Sequence, residues 1–147
     1  MLMQSLPARA AADGRPNGPD FATLTAAYRG SGGMERGDDL ARLLEERLRG
    51  DFLTLARLIA SRQIFSFPWQ HSLWVPMFQF DPVDLSLGGA AQQVLRELTP
   101  GRDGWALARW FALPQRRLDG QRPVDLLHSD LPAVLRAARG EAPGSAG

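Results

Sequence analysis

The chain has 147 residues, 44% of them hydrophobic, enough for one compact domain or two small ones. Its formal net charge is +1, from 17 basic and 16 acidic residues, a balance that gives no general signal for nucleic acid or a membrane surface. Cysteine is absent, which excludes disulfides, thiolate metal ligands and cysteine nucleophiles, and His71 and His128 are too few for a typical zinc site. Every basic residue is arginine. No apolar run approaches the length of a membrane span. The opening MLMQSLPARAAADG lacks a charged leader region, and Gln4 and Ser5 interrupt its apolar run, so a signal peptide is not expected and the expected location is the cytoplasm.

Residues 1–37 contain GRPNGPD and GSGG and little to bury, so they read as a disordered arm with at most a turn or two of helix from Phe21 to Tyr28. From Asp38 the pattern becomes helical. Asp38 or Asp39 can cap a helix whose inner stripe is Leu40, Leu43, Leu44 and Leu48, ended by Gly50. Asp51 caps a second helix that buries Phe52, Leu55, Ala56 and Ile59. Two short helices about a tight glycine turn have helix-turn-helix geometry. IFSFPW and LWVPMFQF then flank Gln70-His71-Ser72 as a β-hairpin, kept short and edge-like by Pro68 and Pro76. A hairpin after such a helix pair predicts a winged helix-turn-helix-like unit over 38–81.

The remaining segment, 82–140, reads as a small helical domain. Ala91, Val94, Leu95 and Leu98 form one amphipathic stripe, stopped at Thr99-Pro100. Asp103 caps the next helix, whose broad apolar face holds Trp105, Leu107, Ala108, Trp110, Phe111 and Ala112 up to Pro114. Leu118 plugs the core from a turn, Asp119-Gly120 reverses the chain, and Pro123 starts a short helix to Leu127. Asp130 with Pro132 starts the last helix, with Leu131, Val134, Leu135 and Ala138 inward and Gly140 as its stop. Residues 141–147 read as a frayed tail. The predicted class is mainly α: a winged helix-turn-helix-like unit with one short hairpin, followed by a small helical domain.

The order Trp105, Ala108, Trp110-Phe111, Pro114, Leu118, Gly120, Pro123, Leu126-Leu127, Val134-Leu135 and Ala137-Ala138 resembles the toxin-binding domain of Xre/MbcA/ParS-type antitoxins. That family has W-(F/L)-x-x-P-N, then L-x-G-x-x-P-x-x-L-L and a final helix. VPMFQFD, Val75 to Asp81, resembles the P-x-F-Q-F stretch that often precedes the domain. The resemblance covers Leu73 to Arg139, nearly half the chain. Gln115 stands where the family has Asn, which favours a left-handed turn better than Gln, so an altered turn is expected there. The chain after Arg139 is short and mostly Gly, Ala and Pro, which argues against a tail that plugs a toxin's active site. The resemblance implies an intracellular antitoxin of a type II toxin-antitoxin system. It also implies a cognate RES- or ParT-like toxin partner that acts on NAD or as an ADP-ribosyltransferase, a homo-oligomer, and autoregulation through operator DNA.

Candidate site residues follow from both readings. No triad, phosphate loop or dinucleotide fingerprint is present, so no catalytic residue, metal or cofactor is expected, and His71 and His128 read as surface residues. On the second helix Thr54, Arg57, Ser61 and Arg62 are the candidate DNA contacts. Asp38, Asp39, Glu45, Glu46 and Asp51 surround them and repel phosphate, so the same helix reads rather as one that packs on the bundle or on a second subunit. Arg109, Arg116, Arg117, Arg136 and Arg139 cluster around the last helices, and the resemblance singles out Arg136 and Arg139 for toxin binding. The alternatives to an antitoxin are a stand-alone DNA-binding transcriptional regulator and a non-enzymatic adaptor that uses the aromatic hairpin.

Overall fold

The computed structural model describes residues 17–140. These form seven α-helices and a three-stranded antiparallel sheet. In chain order they are α1 (Gly18–Tyr28), β1 (Met34–Arg36), α2 (Gly37–Glu46), α3 (Phe52–Ala60), β2 (Phe67–Trp69), β3 (Ser72–Pro76), α4 (Gly89–Leu98), α5 (Gly104–Ala112), α6 (Pro123–Leu126) and α7 (Leu131–Ala138). Short 3-10 turns follow α1, β3 and α5. The mainly helical class is as expected from the sequence, and the sheet has a strand more than the hairpin alone.

Helix starts follow side-chain chemistry. Asn17, Asp51, Asp103 and Asp130 each accept a backbone N–H bond at the start of α1, α3, α5 and α7. In return the Thr54 hydroxyl oxygen accepts from the Asp51 N–H, completing a capping box. The start of α2 differs from the expectation: Arg36 holds the cap position without a side-chain bond, and Asp38 and Asp39 lie in the first turn, where they face the positive helix end.

The strand order is β1-β3-β2, with Met34 opposite Pro76 and Phe67 opposite Trp74. Because strand side chains alternate between faces, the sheet separates two cores. Phe67 joins the larger core with Leu24 and Tyr28 of α1, Val94 and Leu98 of α4, Trp105 and Phe111 of α5, Leu118, Leu127, and Val134 of α7. Val75 joins the smaller one with Leu40 and Leu44 of α2, Leu55 of α3, Ile64, Phe80 and Leu85. Full burial of side chains of this size is worth about 1.5–3 kcal/mol each, so the larger core dominates stability. It crosses residues 81–82, since α1 and the hairpin contribute to it together with the last four helices.

The disordered arm expected over 1–37 is corrected within 17–37, where α1 and β1 form. The reason is burial: Leu24, Ala27 and Tyr28 insert between the hairpin and α5, while Phe21 stacks on Trp69 at 3.8 Å. Residues 1–16 of that arm and the tail 141–147 lie outside the described residues.

Candidate functional site

The chemistry expected of the last helices rests on α5, α6 and α7. Trp105, Ala108 and Phe111 face the larger core, and Leu118 fills it from the turn below. Trp110 is half-buried at the core's edge, with its ring edge-on to Phe111 at 5.2 Å. Gln115 is extended, with φ −114°, and its amide donates to the carbonyl of Trp110 at 3.0 Å. That bond satisfies one of the carbonyls left open at the end of α5. The left-handed residues of this turn are Asp119 and Gly120, so Gln115 carries no turn strain.

Arg136 is exposed in the last turn of α7 and makes no ion pair among the described residues. Arg139, at the end of the same helix, pairs with Glu97 of α4 at 3.4 Å. Both partners are about two-fifths exposed, so solvent screens the pair and it contributes at most about 1 kcal/mol. The two arginines therefore differ: one is free and one is tied to its own chain. Arg109, Arg116 and Arg117 are also exposed and make no ion pair among the described residues.

On α3 and just beyond its end the four proposed contacts divide in the same way. Arg57 and Arg62 are exposed and project freely, Arg62 from a residue with φ +62°. Thr54 is taken up by the capping box, and the Ser61 hydroxyl donates to Leu58 and accepts from Gln63. The Asp51 carboxyl is held below its ordinary range, first by the Thr54 backbone N–H and more weakly by the nearby Arg57 charge. It stays charged at the start of the helix and opposes a phosphate there.

The expected inner stripe of α3 needs one correction. Leu55 is buried, but Phe52 is 60% exposed and Ala56 is exposed as well. Phe52 lines a groove of about 540 Å³ between α3, the start of α2 and the hairpin, together with Leu73 and the charged Arg36, Asp38, Asp39 and Arg42. Helical periodicity marked these positions as apolar but could not say that the groove in front of them stays open.

The hairpin offers less surface than its aromatic content suggests. Trp69 and Trp74 are covered by Phe21, and the Trp74 indole N–H donates to the Trp69 carbonyl at 3.3 Å. His71 is exposed at the tip, and His128 is exposed before α7. Gln79, not singled out as a functional residue, is 2% exposed and fully bonded: its amide group donates to Phe65 and Pro76 carbonyls and its oxygen accepts from the Phe65 N–H. It fastens the residues before the hairpin to those after it. Its place inside FQF, polar between two aromatics, is the sequence signal for such a clasp.

Among the described residues no group of three His, Asp or Glu side chains is placed to hold a metal ion, and no helix is long and apolar enough to cross a membrane. No family model matches the chain, and no curated protein or solved structure matches it.

Proposed function

We propose that this protein is a non-enzymatic antitoxin of the Xre/MbcA/ParS type, which neutralises a RES- or ParT-like toxin by stoichiometric binding in the cytoplasm. The observation that carries the reading is the packing of the motif residues. Trp105, Ala108, Phe111, Leu118, Val134 and Ala138, spread from α5 to α7, meet in one core, while Arg136 stays outside it with no ion-pair partner among the described residues. An exposed, unpaired guanidinium suits a carboxylate-bearing partner, which it can hold with two parallel bonds.

Co-expression with a RES-type toxin encoded by an adjacent reading frame tests this. Restored growth together with a co-purifying complex of fixed stoichiometry is expected. Absence of both would exclude the antitoxin reading.

A second reading, a stand-alone DNA-binding regulator without a toxin, draws on the connectivity. The order α1-β1-α2-α3-β2-β3 with strands arranged β1-β3-β2 is compatible with a winged helix-turn-helix, in which α3 would be the recognition helix. Arg57 on it and Arg62 just after it are exposed and make no ion pair among the described residues. Binding to the DNA upstream of its own gene, falling steeply with salt, would support this reading, and salt-independent or absent binding would oppose it.

A further inference from the structure

We propose that the cavity where the two cores meet is a binding site for a small organic cation, an aryl-alkyl ammonium ion whose apolar body lies on Phe78 and Phe80 and whose charge is met by Glu35. The inference goes beyond the antitoxin reading and stands without it.

The cavity has a volume of about 680 Å³, a size that suits a small molecule. Phe78 and Leu127 reach it from the larger core and Phe80 from the smaller one, and Leu43 of α2 and Met77 extend its apolar lining. Such a lining favours a guest with a substantial apolar body, because the contact removes apolar surface of both from water.

Glu35 decides the charge of the guest. It lies opposite Val75 in the pairing of β1 with β3. Directly opposed residues of an antiparallel pair share a face of the sheet, and Val75 belongs to the smaller core. Glu35 therefore stands on the core side of β1, where it is half-buried and lines the cavity. Its carboxylate makes no ion pair among the described residues. A charge drawn partly out of water without a partner is costly, and a cationic guest supplies the partner.

The other charged groups leave that preference in place. Arg47 also lines the cavity, but its guanidinium donates to the Val83 carbonyl. Asp125 adds a second carboxylate, held only loosely by Arg122 at 3.9 Å. His128 lines the cavity too and is exposed. Two carboxylates against one engaged guanidinium favour a cation over an anion. The rings of Phe78 and Phe80 act in the same direction, because an aromatic face attracts an ammonium group. β1 is an edge strand, and an inward-pointing charge there can also serve to discourage pairing with another chain. That role needs no ligand, so affinity measurements separate the two.

The test uses the full chain and three probes that share one body: phenylbutylamine, phenylbutanol and phenylbutyrate. The chain has four methionines, and Met77 lines the cavity. Its isotope-labelled methyl resonance, identified with Met77→Leu, reports where a probe binds. The amine is expected to shift that resonance saturably and to bind about tenfold more tightly than the alcohol, as one charge-assisted bond allows. The acid is expected not to bind. Glu35→Gln should lower the affinity of the amine to that of the alcohol, with melting and the affinity of the alcohol unchanged. Equal affinity of amine and alcohol in the wild type, tighter binding of the acid, full affinity of the amine for Glu35→Gln, or saturation with the Met77 resonance unmoved would overturn the proposal. A blocked Leu-Arg-Leu peptide that displaces the amine at lower concentration would overturn the small-molecule assignment in favour of a basic protein segment.

Discussion

The hydroxyl of Tyr28 donates to the carbonyl oxygen of Ala108 at 2.5 Å, tying the last turn of α1 to the middle of α5 across 80 positions. Tyr28 is fully buried and its ring stacks on Phe78 at 5.6 Å. A glycine-rich segment is thereby fixed on the larger core by one polar bond inside an apolar contact. Burial pushes the Tyr28 phenol well above its ordinary value of 10.0.

A pH dependence follows. An acid whose folded-state pKa is raised keeps its proton where the unfolded chain has lost it. Its contribution to stability is therefore complete below the unfolded value of about 10 and is lost as pH rises above it. Tyr28 is the one tyrosine in the chain, so tyrosinate absorbance reports it directly. The folded protein should show no ionisation at the ordinary pH, with absorbance appearing together with unfolding. Tyr28→Phe should cost about 1 kcal/mol at neutral pH and flatten the alkaline decline. Reversible titration at the ordinary value without unfolding would show that the phenol is open to water.

Gly104 is the first residue of α5 and cannot carry a side chain. A Cβ there would overlap the Ser66 carbonyl oxygen and lie 2.9 Å from its carbon. The obstacle is backbone, which cannot rotate aside as a side chain would. Gly104→Ala is expected to destabilise by about 3 kcal/mol, read as a lowered denaturant midpoint. A neutral result would mean that α5 can slide away from the strand that begins at Phe67.

Gln79 gives a test of the clasp beneath the hairpin. Gln79→Leu preserves bulk but strands the Phe65 N–H and two carbonyls, each at a cost of about 1–3 kcal/mol. Thermal melting of the variant should fall well below that of an exposed control such as Gln93→Leu. Equal melting would show that water replaces the amide.

The hairpin tip is improvable. Gln70 and His71 take φ of +50° and +63°, the left-handed conformations that a type I′ turn needs and that Asn-Gly adopts more easily. The double substitution Gln70→Asn with His71→Gly should gain about 1–2 kcal/mol, seen as a higher urea midpoint at unchanged slope. A loss of stability would mean that the His71 side chain does structural work at the groove it borders.

Much of the fold is legible where local chemistry decides it. Asp51, Asp103 and Asp130 announce their helices because a carboxylate followed by an apolar stripe has few other uses. The strand Met34–Arg36 is illegible for the opposite reason. Nothing in Met-Glu-Arg favours a strand, and its pairing partner, Trp74 to Pro76, is distant in sequence. The start of α1 does carry a signal, Asn17-Gly-Pro-Asp with a cap and an early proline, but the surrounding glycines mask it. At the candidate sites residue type was readable and availability was not. Thr54 and Arg139 match their expected chemistry, yet one bonds its own helix cap and the other bonds Glu97.

That difference sharpens the test of toxin binding. Arg136 has no ion-pair partner among the described residues, whereas Arg139 is half spent on Glu97. If the end of α7 covers the rim of a toxin's active site, the two positions should respond unequally to charge reversal. Arg136→Glu removes a bond to the partner and adds repulsion. Losing one side of a desolvated charge pair costs about 2–5 kcal/mol, so binding should weaken at least about thirtyfold while melting stays unchanged. Arg139→Glu also places two carboxylates together at Glu97. Its cost should show first in the free protein, as a loss of about 1 kcal/mol or less, and Glu97→Arg in the same chain should restore that stability. Calorimetric titration with the toxin, alongside thermal melting of each variant, separates the effects. Full affinity of Arg136→Glu would remove the end of α7 from the interface, and a stability loss at Arg136 larger than at Arg139 would show that the assignment of free and tied arginine is inverted.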